Sequence, residues 1–79
     1  MTRAIQFVVA ETYRQAEKVA RDAGWWPRDW RYVSHVRELD GQVGVLWLCD
    51  TAHKHAEYKE IVALARKQRM RMFAIEAVE

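Results

Sequence analysis

Two short stretches bring together residue types that could do chemistry. Glu11 and Thr12 follow the apolar run Ala4–Ala10; Asp50 and Thr51 follow the apolar run Val43–Cys49, with His53 close behind. An acid and a hydroxyl between a buried strand and a helix stand where open parallel sheets bind ligands. A helix N-terminus at that place attracts phosphate. Neither run, however, is followed by a glycine-rich loop, and both GxGxxG and GxxxxGK[ST] are absent. Glu11 and Asp50 would also repel an anion. These residues read first as helix caps with solvated acids. Glu11, Asp50 and His53 form a ligand rim only if the chain is a degenerate nucleotide-binding or hydrolase half-domain.

Cys49, Asp50, His53 and His55 include zinc-ligating types, but a tetrahedral site needs four groups that converge. His53 and His55 are two apart and face different ways on a helix. Cys49 ends an apolar strand and reads as a buried thiol behaving as a small hydrophobe. As a nucleophile it would need a lowered pKa, which the adjacent Asp50 opposes. The sequence therefore implies no catalytic residue, no metal and no cofactor.

Two further clusters suit binding better than catalysis. Trp25-Trp26-Pro27-Arg28-Asp29-Trp30 places three tryptophans and an arginine within six residues. Trp and Arg dominate interface hot spots, so Trp25, Trp26, Arg28 and Trp30 are the candidate contact residues. The alternative is a lid over one end of a small core, and the two roles are compatible. Arg66, Lys67, Arg69 and Arg71 form a basic cluster. Solvated cations at a helix end complement the helix dipole. The same cluster, given neighbouring aromatics, would suit nucleic acid.

The chain has 79 residues, 51% of them apolar, with four Trp, three Tyr and two Phe. That composition folds, and the length fits a single domain, residues 1–79, with a small core. A net charge of +2 does not by itself imply nucleic acid. One cysteine rules out an intramolecular disulfide framework and fits a reducing compartment. No apolar run approaches the roughly 20 residues that span a bilayer. Met1-Thr2-Arg3 leads straight into a strand without a secretory pattern, so the expected location is cytoplasmic, away from membranes.

The elements that would position these residues repeat. Phe7–Thr12 and Leu46–Thr51 each read as a buried strand, an acid and a threonine, and each precedes an amphipathic helix. The first helix is predicted over 12–23, with Thr12 as N-cap and Gln15 completing a capping box. Tyr13, Ala16, Val19, Ala20 and Ala23 form its apolar face, and Gly24 its C-terminal stop. The second is predicted over 52–68, with His55, Tyr58, Ile61, Val62 and Ala65 buried. It ends at Lys67-Gln68-Arg69, with no glycine. Alternation over 30–36 and the charges flanking 70–76 mark two edge strands. Gly44 suggests a close backbone approach.

Two fully apolar strands must lie in the centre and two charged ones at the margins. This gives an α/β fold: a mostly parallel four-stranded sheet, order 2-1-3-4, with one helix on each face, like half of a doubly wound domain. The short link from the second strand to the third leaves an antiparallel hairpin as the rival topology. Four strands span about 19 Å, whereas one helix is about 10 Å across, so some apolar sheet surface should stay uncovered.

Phe7–Thr12, the segment ending in Ala20-Arg21-Asp22-Ala23-Gly24, Trp30-Arg31-Tyr32-Val33 with Leu39-Asp40-Gly41, and the closing stretch from Ile61 together resemble a type of short α/β protein encoded by phages of actinobacteria. The resemblance covers most of the chain, and its motifs are structural. It implies a phage accessory protein made in the bacterial cytoplasm and directed at a host component, with no catalytic residues to carry over. The combined expectation is a non-enzymatic protein acting through protein–protein contacts, including self-association as a homo-oligomer. Nucleic-acid binding through the basic cluster is the alternative.

Overall fold

The computed structural model describes residues 5–75. Met1-Thr2-Arg3, Ala4 and Glu76, used in the readings above, lie outside the described residues. The elements are β1 (Ile5–Val9), α1 (Tyr13–Asp22), β2 (Trp30–Tyr32), β3 (Gly44–Cys49), α2 (Tyr58–Lys67) and β4 (Arg71–Ile75). Single 3-10 turns occupy Val36–Glu38 and Ala52–Lys54.

All pairings are parallel and the strand order is β2-β1-β3-β4. The rival hairpin is therefore absent: β2 pairs with β1, and β3 lies on the far side of β1. The central pair is the most apolar. Val8, Val9 and Leu46 are fully buried. Side chains alternate across the sheet. Phe7, Val9 and Leu46 join Ile61 and Ala65 of α2 in one core. Val8, Ala10, Trp30 and Cys49 join Ala16, Val19 and Ala20 of α1 in the other. One helix thus sits on each face.

The link from β2 to β3 runs on the α2 face. It buries Val33 and Leu39 in the α2-side core, with Val36 packed against it. The steps β2→β3 and β3→β4 both move towards the same margin, so crossovers of one hand share one face. A 3-10 turn replaces the missing helix because Glu38 folds back as a local anchor. Its Oε1 accepts from the Ser34 N–H, the Ser34 hydroxyl and the His35 N–H at 2.8, 2.5 and 2.9 Å.

Five local expectations need correction. The alternation over 30–36 gives a strand of only three residues, because the link turns away towards the α2 face. Helix α2 starts at Tyr58, not at Ala52. His55 is extended (φ −65°, ψ 136°), and its ring is pinned to two backbone groups. The Glu57 N–H donates to Nδ1 at 3.0 Å, which leaves Nε2–H to donate to the Val33 carbonyl at 2.9 Å. His55 is buried as expected, yet it stands before the helix instead of on it. On α1, Thr12 does accept from the Gln15 N–H. The Gln15 side chain, however, accepts from the Thr51 hydroxyl at 2.8 Å, so no reciprocal capping box forms. Tyr13 and Ala23, assigned to the buried face of α1, are exposed.

The helix ends keep the repeat. After α1, the Gly24 N–H bonds Arg21 O and the Trp25 N–H bonds Ala20 O. After α2, the Arg69 N–H bonds Arg66 O and the Met70 N–H bonds Ala65 O. Both are the same two-bond C-terminal motif, which needs a left-handed residue at its centre. Gly24 meets that need at φ 75°, and Arg69 occupies the same place at φ 58°. At Gly44 (φ 157°), a Cβ would fall 2.3 Å from the Ile5 carbonyl oxygen, so β1 and β3 meet there as the sequence suggests.

Candidate functional site

The C-terminal ends of the strands place the rim residues. Glu11, Asp50 and His53 are all exposed. The two repeat copies join here through Thr51, whose Oγ accepts from the Glu11 N–H at 3.4 Å while its hydroxyl donates to Gln15. Thr51 therefore ties the two loops together and does not cap α2. Glu57 accepts from His35 Nδ1 at 2.9 Å and from the Val36 N–H at 3.3 Å. These bonds hold its carboxyl below the usual value, the His35 bond contributing most. The Glu38 carboxyl is lowered in the same way, first by the Ser34 hydroxyl. The acids of the rim thus fasten the β2–β3 link.

Cys49 is 5% exposed. Burial, and next the charge of Asp50, push its thiol up to about 11. His55, the buried histidine of this region, already uses both ring nitrogens on backbone groups and cannot serve as a base for it. No three His, Cys, Asp or Glu side chains converge on a metal-sized site among the described residues. A groove of about 450 Å³ lies between Cys49, Asp50, Tyr58 and Ile75, but its one charged wall is Asp50.

The N-terminal ends of the strands are different. The loop Gly24–Asp29 returns there and is tied to β1 by the Gln6 N–H, which donates to Asp29 O at 2.9 Å. Trp30 is 9% exposed and belongs to the α1-side core, so it is a floor and not a contact residue. Its ring stacks on Tyr13 at 5.7 Å. Trp26 is 67% exposed, and Arg28 is exposed beside it. Trp25 folds back over the sheet to meet Trp47 at 5.5 Å, and Trp47 meets Phe73 at 5.1 Å. The Trp47 indole N–H donates to Gln6 Oε1 at 2.5 Å, which fixes the middle ring.

Trp47 and Phe73 face each other across the β3–β4 register, and Arg71 shares their side of β4 by strand alternation. Helix α1 covers β2 and β1 on this side. It leaves Phe73 45% exposed and Trp47 half-buried. The sheet is thus wider than its helix, as expected, and the uncovered part is an aromatic row. Trp47 and Phe73 were missing from the candidate contact residues. The period-two pattern of Arg71, Phe73 and Ile75 was the available signal.

Of the basic cluster, Arg71 shares the face of this row, whereas Arg66 and Lys67 end α2 on the opposite face. Arg66 and Lys67 end α2, Arg69 occupies the turn and Arg71 opens β4. All four are exposed, and none makes an ion pair among the described residues. The two clusters stay at opposite margins of the sheet, the tryptophan loop leading into β2 and the basic residues around the start of β4. No protein-family model, curated protein or solved structure matches this chain. Among the described residues, no helix is long and apolar enough to cross a membrane.

Proposed function

We propose that this is a non-enzymatic binding protein whose working surface is the uncovered half of the sheet on the α1 side. The observation that supports it is the ring row Trp25–Trp47–Phe73 on the face that α1 leaves uncovered. Large apolar side chains left open together mark a contact surface, and Arg71 shares this face. The C-terminal strand ends support no chemistry of comparable weight: Glu38 and Glu57 are used internally, and burial pushes the Cys49 thiol up. A cytoplasmic accessory protein of the phage type that the sequence resembles, binding a protein partner or a second copy of itself, would use this surface.

Binding of an apolar-surface dye, measured together with light scattering, tests the reading. A monomer that binds dye, with the signal falling in the double variant Trp26→Ser with Phe73→Ser, supports an open face. A dimer that Phe73→Ser dissociates supports the same face covered by a second copy. A monomer that binds no dye contradicts the proposal.

A further inference from the structure

We infer that a second copy of this chain docks along the outer edge of β4, antiparallel and about a two-fold axis at Phe73, joining two four-stranded sheets into one. The inference rests on the binding surface proposed above and names its partner.

A strand at the margin of a sheet presents a row of backbone N–H and C=O groups without a ladder partner, and folded chains blunt such edges by shortness, charge, proline or a bulge. The two margins here are β2 and β4. β2 is three residues long, and the chain then turns away to bury Val33 and Leu39 on the α2 side. β4 has none of these devices among the described residues beyond one charge. It pairs with β3 over five residues in an unbroken register, holds no proline, and carries Arg71 at its first position. Phe73 and Ala74 at its centre are exposed.

The edge complements itself. Setting Phe73 against the partner's Phe73 puts Arg71 opposite the partner's Ile75 and Met72 opposite the partner's Ala74. On the α1 side the two phenylalanines form a cross-strand aromatic pair. The Trp25–Trp47–Phe73 row then runs on into its copy as one aromatic platform. On the α2 side a long side chain meets a small one, beside the groove of about 450 Å³ that Leu48, Tyr58 and Ala74 help to line. Charge selects the same arrangement. The two Arg71 residues lie four residues apart along the strands, about 14 Å, beyond the screening length of about 8 Å at physiological salt. Each Arg71 instead approaches the partner's Asp50, which follows Cys49, the β3 neighbour of Ile75. Two strand spacings and one residue separate their Cα atoms by about 10 Å, within reach of an arginine side chain. Antiparallel pairing also sends Arg66, Lys67 and Arg69 of the two copies to opposite ends of the joined sheet, where parallel pairing would stack them.

The test is analytical ultracentrifugation of the full chain from about 5 µM to about 1 mM. An edge about 17 Å long makes a small interface, so a monomer–dimer equilibrium within that range is expected. Ala74→Lys brings two like charges near the axis and should weaken the dimer about tenfold or more, with circular dichroism native because Ala74 is exposed. Arg71→Asp and Asp50→Arg should each weaken it about two- to fivefold, and the two together should restore it. Four outcomes overturn the inference. They are a monomer throughout the range, species growing beyond the dimer, a dimer indifferent to Ala74→Lys, and a charge swap no better than its single changes. If the chain stays monomeric while the dye still binds it, the partner is wrong and the surface stands. If the dye fails as well, both fall. A dimer that survives Ala74→Lys but not Phe73→Ser means that the copies meet on the aromatic face and not along the edge.

Discussion

At the C-terminal end of the strands, Glu38 and Glu57 accept hydrogen bonds from Ser34, His35 and Val36. Towards the N-terminal end, Arg66, Lys67, Arg69 and Arg71 have no ion pair among the described residues, and Phe73 and Trp26 are exposed. The first end uses its charge to hold the chain together. The second leaves its charge and its aromatic surface for something else. A charged end of a parallel sheet is therefore not a site because of its position alone. What distinguishes the two ends is whether the polar groups are already satisfied internally.

The largest test of this contrast is Gly44→Ala. A Cβ would strike the Ile5 carbonyl oxygen at the N-terminal end of the central pair. The clash is with backbone, which cannot step aside, so a loss of roughly 3 kcal/mol or more is expected in chemical denaturation. Full stability in this variant would show that β1 and β3 do not meet as described, and the platform would lose its footing.

Next comes the acid rim. Glu38 has its carboxyl lowered from the ordinary 4.5 by bonds that exist only in the folded chain. The stabilisation is therefore complete above pH 4.5 and is lost as pH falls through the folded value. Glu38→Gln should cost about 0.5 kcal/mol at neutral pH, given its exposure, and the gap from wild type should close on acidification. It should leave dye binding to the aromatic face unchanged. If dye binding drops with it, the C-terminal strand ends are part of the working surface and the contrast breaks.

The smallest effect sharpens the other end. Arg69→Gly relieves a left-handed non-glycine residue and should raise stability by roughly 0.5–1 kcal/mol, a melting-temperature gain of a few degrees. A variant with no gain in thermal unfolding would show that Arg69 carries no strain at that turn.

Much of the architecture is legible in the sequence. The strand order follows from two continuous apolar runs and two charge-bearing ones, because only central strands are covered on both faces. The helix on each face follows from crossover handedness. The start of α2 is not legible, because it depends on His55 bonding the carbonyl of Val33, 22 positions away in the chain. The brevity of β2 has the same kind of cause: the link leaves early to bury Val33 and Leu39 under α2. The site was half visible. Trp25, Trp26, Arg28 and the basic cluster stand out by composition. That Trp25 reaches Phe73 through Trp47 depends on the β3–β4 register, which no local pattern states.

Four tryptophans make the decisive measurement direct, because each indole N–H gives its own nuclear magnetic resonance signal. Titrating labelled protein with an apolar-surface dye should shift Trp25 and Trp47 together with the backbone of Phe73. Trp30, sealed under α1, and the bonded Glu38 and Glu57 should stay still. Shifts centred on Glu11, Asp50 and His53, or no shifts at all, would contradict the assignment of the working surface to the uncovered aromatic face.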